Sequence, residues 1–264
     1  MKIATFNVNS IKVRADALAK WLDEAKPDVV ALQEIKCIDE NFPAEKFEDL
    51  GYTVAVHGQK TYNGVALLSR HGLEDVRRGL PGMQDDEQAR YIEAVVPAGD
   101  RAVRVGGIYL PNGNPVGDPV PSEKYAYKLR WMDQLHAHAQ ELLKLEEPLV
   151  LCGDYNVIPT DNDVWNPDDW REDAAFRPET HQKFRAFQAL GFTDAWRACH
   201  DEPHQYSFWD YQAGAWNKNH GILIDHLMLS PQAADLLTGA GIDRYVRGRE
   251  KPSDHVPVWC ELAL

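Results

Sequence analysis

The chain has 264 residues, 44% hydrophobic and 26% charged, which is the balance of a folded protein with enough length to bury a large core. Its formal net charge of −13 excludes a general nucleic-acid coat, since such proteins are basic, but leaves room for a local grip where a bound cation offsets acidic groups. No apolar run could span a membrane, no apolar signal segment is visible, and Cys37, Cys152, Cys199 and Cys260 are scattered without a C-x-x-C pair, so a cytoplasmic protein with reduced thiols is expected.

Residues 2–9 read as a strand in which Thr5, Asn7 and Asn9 share a face. Ser10 is placed to cap a helix whose apolar stripe is Leu18, Trp21, Leu22 and Ala25, with Pro27 ending it. Residues 29–33 form a second apolar strand, and Glu34 stands at its end. Strand, helix and strand in this length predict a βαβ unit with parallel strands, so Asn7 and Glu34 fall at neighbouring carboxyl ends. Short β-prone runs follow at 52–56, 65–68, 91–96 and 102–109. Tyr109 ends the last of them and leads into the loop Leu110-Pro111-Asn112-Gly113-Asn114-Pro115. Pro121 and Ser122 open a long helix that runs to Leu145.

Residues 148–152 read as a buried strand, broken by Gly153. If the chain stays extended, Asp154 and Asn156 point the same way, either as the polar edge of a site or as the start of a turn. Residues 157–177 are rich in Pro, Asp, Asn and Trp, and a connection of that length without regular structure is usually functional or mobile. A helix is expected at 179–190, an aromatic strand-like run at 206–211, and a strand holding Asp225 and His226 at 222–229. A short helix at 231–237 and a last strand at 256–262 complete the chain. Helices lie between strand groups throughout, with no linker or repeat, which favours one α/β domain spanning residues 1–264.

Asn7, Glu34, Asp154, Asn156, Asp225 and Asp254 are oxygen-bearing residues at or near strand ends, the donor chemistry that Mg²⁺ or Mn²⁺ prefers. Each alone is better read as a cap or a solvated group; shared placement raises the set. His255 follows Asp254 directly and needs a carboxylate to orient and charge it, for which Asp225 is the candidate. Zinc is disfavoured, because Pro203 interrupts His200 and His204 and the cysteines offer no pair. There is no Walker A loop, no G-x-G-x-x-G after a strand and no G-x-S-x-G. Basic residues group at Arg244, Arg247, Arg249 and Lys251, at Arg77 and Arg78, and at Lys124, Lys128 and Arg130. Solvated surface is the default for each group, and a phosphodiester grip the alternative. Phe208, Trp209, Tyr211 and Trp216 could line a pocket or pack in the core.

The segments Thr5-Phe6-Asn7-Val8-Asn9, Leu32-Gln33-Glu34-Ile35-Lys36, Tyr109-Leu110-Pro111-Asn112-Gly113, Gly153-Asp154-Tyr155-Asn156, Ile224-Asp225-His226 and Lys251-Pro252-Ser253-Asp254-His255 occur in the order and approximate spacing of one family. The chain resembles the exonuclease III family of abasic-site endonucleases, within the DNase-I-like endonuclease/exonuclease/phosphatase superfamily. The resemblance implies a four-layer α/β/β/α sandwich, two packed mixed sheets flanked by helices. It implies a Mg²⁺-dependent nuclease, Mn²⁺ being the other candidate ion, acting as a monomer on double-stranded DNA. The bonds cut are the phosphodiester 5′ to an abasic site and those of nucleotides at 3′ ends. By matching position, Glu34 resembles the principal metal ligand, with Asn7 and Asp254 beside it and Asp154 and Asn156 within reach. Asp154 resembles the group that orients or deprotonates the attacking water, and Asn156 the amide that steadies it. Tyr109, and His255 held by Asp225, resemble contacts to the scissile phosphate, and Asn112 a further one. The pocket for the base-free sugar would fall on Phe208, Trp209, Ile222 and Ile224. One departure stands out: Leu223 occupies a position where relatives often carry a basic residue. Two rivals remain open here: a superfamily phosphodiesterase acting on lipid head groups, inositol phosphates or RNA, and a non-catalytic DNA-binding module.

Overall fold

The fold, described here over residues 1–264 from a computed structural model, follows from alternation along its strands. The elements in chain order are β1 (Lys2–Asn7), α1 (Ile11–Ala25), β2 (Val29–Gln33), α2 (Ala44–Glu48), β3 (Thr53–His57), β4 (Val65–Ser69) and β5 (Glu74–Arg78). Then come β6 (Tyr91–Ala98), β7 (Arg101–Tyr109), α3 (Glu123–Leu143), β8 (Leu149–Asp154), α4 (Pro178–Gln188), β9 (Thr193–Asp194) and α5 (Ala195–Cys199). The chain ends with α6 (Ala215–Lys218), β10 (Asp225–Leu229), α7 (Pro231–Ala234), β11 (Leu237–Ile242) and β12 (Val258–Leu262). Two sheets of six strands result, ordered β11-β12-β1-β2-β4-β3 and β5-β6-β7-β8-β10-β9. Both are mixed: β1 pairs parallel with β2, and β7 with β8, among antiparallel neighbours.

In β1 and β2, Ile3, Val29 and Ala31 join Val105, Val150, Cys152, Leu227 and Leu229 of the second sheet in one dry core. The intervening Ala4, Phe6, Val30 and Leu32 point the other way, onto Leu18, Trp21 and Leu22 of α1 and Phe47 of α2. On the far side of the second sheet, Leu149, Leu151 and Met228 pack against Trp131, Met132 and Leu135 of α3 and Phe184 and Phe187 of α4. Period two in the strands thus gives each sheet two buried faces, and the expected four layers form. At Gly153 in β8, an added Cβ would meet the Ile108 carbonyl oxygen of β7 at 1.9 Å, so only glycine lets these two strands close up immediately before Asp154.

Several expectations needed correction. Ser10 has φ 87° and makes no side-chain cap, and the first strand stops at Asn7. Residues 206–211 are not a strand; Phe208 instead bridges to Ile222 and to His255. The helix expected at 231–237 ends at Ala234, and Leu237 begins β11. Charged β5 and glycine-containing β11 went unread, because both are sheet edges whose composition departs from a buried strand. Residues 157–177 are anchored by Ile158, Val164, Ala175 and Phe176, which cluster with Ile222 and Ile224, while most of their acidic side chains stay exposed. All four cysteines are free, with Cys199 exposed and the others buried. No helix is long and apolar enough to cross a membrane.

Candidate active site

The inward rows of the central strands are apolar until their last positions, where they turn polar. β1 ends at Asn7, and parallel β2 delivers Glu34 beside it. β7 and β8 place Tyr109 directly across from Asp154. β10 runs antiparallel to β8, so its first residue, Asp225, also pairs with Asp154. β12 runs antiparallel to β1, which brings the preceding Asp254-His255 to the same end. Because the sheets lie face to face, these residues meet at one mouth of the sandwich. Side chains of Glu34, Asp154 and His255 each offer an atom within 4.8 Å of the others.

Hydrogen bonds fix the arrangement. The Asn7 amide donates to Glu34 Oε1 at 2.9 Å and to Asp154 Oδ2 at 2.9 Å. Tyr109 donates its hydroxyl to Glu34 Oε1 at 2.9 Å. On the other oxygen of Glu34 lies Lys36 Nζ, at 2.8 Å, and Lys36 also donates to Asn9 Oδ1 at 2.6 Å. The Asn9 amide in turn donates to Asp254 Oδ1 at 3.1 Å. His255 Nδ1 is 2.8 Å from Asp225 Oδ2, which also accepts from Ser207 Oγ at 2.6 Å. The opposite ring nitrogen, Nε2, lies 3.7 Å from Asp154 Oδ2.

Asn156 reaches the site by a route that alternation does not describe. Its φ is 47°, so the chain is not extended there. Its backbone N–H donates to Asp154 Oδ1 at 2.9 Å, an Asx turn. The side chain donates to the Leu110 carbonyl at 2.9 Å and accepts from Asn112 Nδ2 at 3.3 Å. Turn and site edge, posed as alternatives from sequence, are therefore the same feature.

Burial and charge then set the protonation states. For Asp154, burial is the main force raising its pKa, to about 7, helped by the Asp225 and Glu34 carboxylates and opposed by His255 and Asn7. Burial opposes the charged form of His255, but Asp225 and Asp154 outweigh it and raise its pKa to about 10. Glu34 is the contrasting carboxyl: burial works against its charge, yet the Asn7 amide and the Lys36 ammonium hold it below the ordinary value. Burial, then the Glu34 and Asp154 charges, push the Tyr109 phenol well above its ordinary value, so it stays a hydroxyl donor. A charged His255 engaged with Asp225 has no lone pair for a metal. What remains for a cation is oxygen from Glu34, Asp154 and Asn7, a hard donor set that suits Mg²⁺ or Mn²⁺ and not a soft metal.

Comparison with known proteins agrees with this geometry. Residues 4–255 match the endonuclease/exonuclease/phosphatase family. Exodeoxyribonuclease III of Haemophilus influenzae is 33% identical over 99% of this chain and 100% of its own length. The chain belongs to this family, in its exonuclease III branch. Among solved structures, an AP endonuclease from Archaeoglobus fulgidus superposes with TM-score 0.93 at 35% identity, and a 3′ phosphatase from Neisseria bound to product DNA hairpin with TM-score 0.94 at 36% identity. Each covers 100% of both chains.

In this exonuclease III-type site, a cavity of about 260 Å³ is lined by Glu34, Tyr109, Asp154, Asn156, His255, Asn112, Asp254, Phe208, Ile222 and Ile224, while Asn7 and Asp225, also foreseen, are buried and do not line it. Trp170, Asp173, Ala175 and Asp210 line it as well. These four were missed: they sit in irregular segments, although Trp170, Asp173 and Ala175 belong to the connection 157–177 already singled out for its composition. Trp209 does not line the cavity. Its ring is buried against Tyr206 and Trp216, and its N–H donates to Asn219. Asp254 is in the cavity wall but outside the tight Glu34–Asp154–His255 cluster. Leu223 is buried, and the nearby buried Asp163 takes its cation from Arg197 of α5 instead. Two members of the supposed surface groups are interior: Arg247 donates to the Trp209 carbonyl, and Lys128 is fully buried.

Proposed function

We propose that this chain is a DNA-repair nuclease that hydrolyses the phosphodiester 5′ to abasic sites and removes nucleotides from 3′ ends of duplex DNA. The observation that carries the reading is the Asp154–His255–Asp225 alignment. A buried carboxylate of raised pKa faces a buried imidazolium at 3.7 Å, and a second carboxylate holds that ring at 2.8 Å. A base and a cationic donor side by side are what in-line hydrolysis of a phosphodiester requires. The family membership and the named activities of the relatives support the same reading.

Asp154 orients the attacking water and takes its proton, a role suited to a carboxylate whose pKa burial has raised. His255, kept charged by Asp225, and the Tyr109 hydroxyl bind the non-bridging oxygens of the scissile phosphate. Asn156, locked by Leu110 and Asn112, presents its amide group from a fixed turn and steadies both water and phosphate. Glu34, Asn7 and Asp154 would hold the Mg²⁺ or Mn²⁺, with Asp254 behind Asn9. When bound, the cation neutralises charge on the phosphate and on the leaving oxygen. Phe208, Ile222, Ile224 and Trp170 form the apolar part of the wall, which suits a base-free sugar.

The test is a labelled duplex with one abasic site, incubated with and without Mg²⁺ and resolved by product size. Incision 5′ to the lesion that EDTA abolishes is expected, with 3′-end shortening on an intact duplex. No cleavage of either duplex would overturn the reading.

A further inference from the structure

A lysine in the middle of an apolar helix face calls for an account. Lys128 lies on α3 between Tyr125, Trp131 and Met132, all buried, and has no exposed surface. Lysine is rarely buried so completely unless its ammonium has partners. Here Nζ donates to the Asn156 carbonyl at 2.6 Å and to the Asn112 carbonyl at 3.2 Å. Both acceptors belong to residues whose side chains line the cavity. One is on the turn leaving β8, the other on the loop leaving β7. The stem is equally fixed: at Gly113, φ 88°, an added Cβ would stand 2.6 Å from Lys128 Cδ, so glycine makes room for the lysine.

Resting on the nuclease reading above, we propose that Lys128 is a positioning residue for the reaction: its buried amine clamps the Asn112 and Asn156 carbonyls together and so sets the direction of both amide side chains toward the phosphate. Two features of the turn need such a clamp. Asn156 is in the left-handed region, which a residue with a side chain holds only where its surroundings enforce it. The single side-chain bond from Asn112 to Asn156 is long, at 3.3 Å, and Asn112 is exposed to solvent. The ammonium supplies the second tie from beneath, out of reach of water. Burial pushes the Lys128 pKa down to about 7, with the Asp173 and Asp154 carboxylates opposing. The clamp does not depend on the outcome, since the neutral amine keeps two N–H donors for its two carbonyls.

The experiment compares Lys128→Met, which keeps the length of the stem and loses every donor, with Met132→Ala, a control that weakens α3 packing one turn away. Single-turnover rate, DNA affinity and Tm are measured for each on the abasic duplex. The expected result for Lys128→Met is a 10- to 100-fold lower rate with DNA affinity within about threefold. Met132→Ala should lose Tm but keep its rate at a temperature well below unfolding. Lys128→Arg, which restores donors, should recover part of the rate. A Lys128→Met rate within twofold of the native enzyme overturns the proposal. So does a rate loss that Met132→Ala reproduces at the same fall in Tm. Should Lys128→Met not fold, Lys128→Gln, whose shorter stem draws its donors back from both carbonyls, is read against the same limits. Failure of the native protein to cut any DNA would instead defeat the nuclease reading, so the two failures are distinct.

Discussion

Replacing Asp154 by asparagine tests the chemistry with little change of shape. The carboxylate accepts from the Asn7 amide through Oδ2 and from the Asn156 backbone through Oδ1, each at 2.9 Å. An amide has one oxygen, so one of these donors will face an NH₂ group, at a local cost of about 1–3 kcal/mol. Against that, the variant no longer buries a carboxylate, whose burial is what raises its pKa. The two effects oppose, and Tm should stay within roughly 4 °C of the native value. His255 keeps Asp225 and stays charged. What is lost outright is the base, together with one charged oxygen donor toward the cation. A positioned general base is worth roughly 10²- to 10⁴-fold, or about 3–5 kcal/mol of barrier. Single-turnover cleavage of a labelled abasic duplex should therefore fall by about a thousandfold. Affinity measured by fluorescence anisotropy should hold or tighten, because a negative charge near the phosphate has gone. A rate within tenfold of the native enzyme, with Tm preserved, would remove Asp154 from the reaction and with it the assignment of the attacking water.

Glu34→Ala should weaken cation binding by at least about tenfold, the size seen even for groups one step removed from a metal, as read by calorimetric titration with Mg²⁺ and Mn²⁺; an unchanged isotherm would place the ion elsewhere. Glu93 probes stability away from the site. It is buried in β6, accepting from Tyr91 at 2.6 Å and facing His138 at 2.8 Å, with Arg77 at 3.4 Å and Arg104 at 3.7 Å. Glu93→Gln removes the buried charge that faces Arg77 and Arg104, the latter still held by Glu147 and Asp75, and should cost about 1–3 kcal/mol in urea unfolding at neutral pH. Burial raises the Glu93 pKa, but His138 and Tyr91 outweigh it and hold it below its ordinary 4.5. A depressed carboxyl pKa contributes stability above the unfolded value and loses it as pH falls through the folded one. The gap between native and variant should therefore close as pH drops below 4.5; a gap of constant size across that range would contradict the ion-pair account.

Much of the site was legible because parallel pairing makes strand ends coincide. Once residues around Asn7 and Glu34 read as strand, helix, strand, their adjacency followed from the right-handed crossover alone. Asp154 was legible as an acid ending an apolar run and Asp225 as an acid inside one, but their direct pairing needed the antiparallel register of β8 and β10, which no local pattern carries. Asn156 was identified for an incomplete reason, since it arrives through a left-handed turn and not by extended alternation. Composition marked the connection that holds Trp170 and Asp173, but their place in the wall, like that of Asp210, is set by tertiary packing that no local pattern carries. Lys128 was misread as surface on the strength of its charge. The signal that could have corrected this was periodic: counted along α3, it falls in the stripe made by Tyr125, Met132 and Leu135. A charge on an apolar stripe deserves the question of what it touches.

The acidity of the chain and its action on a polyanion are reconciled locally. Near physiological ionic strength, exposed charges more than about 8 Å away are largely screened, so most of the net −13 is not felt at the mouth of the sandwich. Buried pairs are screened far less, and there two cations serve three carboxylates. Lys36 serves Glu34, and His255 serves Asp225 and Asp154. These cations offset much of the local acidity, so the site can bind phosphate without a basic surface. Asp154 has the weaker share of His255, at 3.7 Å against 2.8 Å for Asp225. Burial is what raises the Asp154 pKa toward the range where a carboxylate takes a proton, while Asp225 holds the ring at the shorter distance.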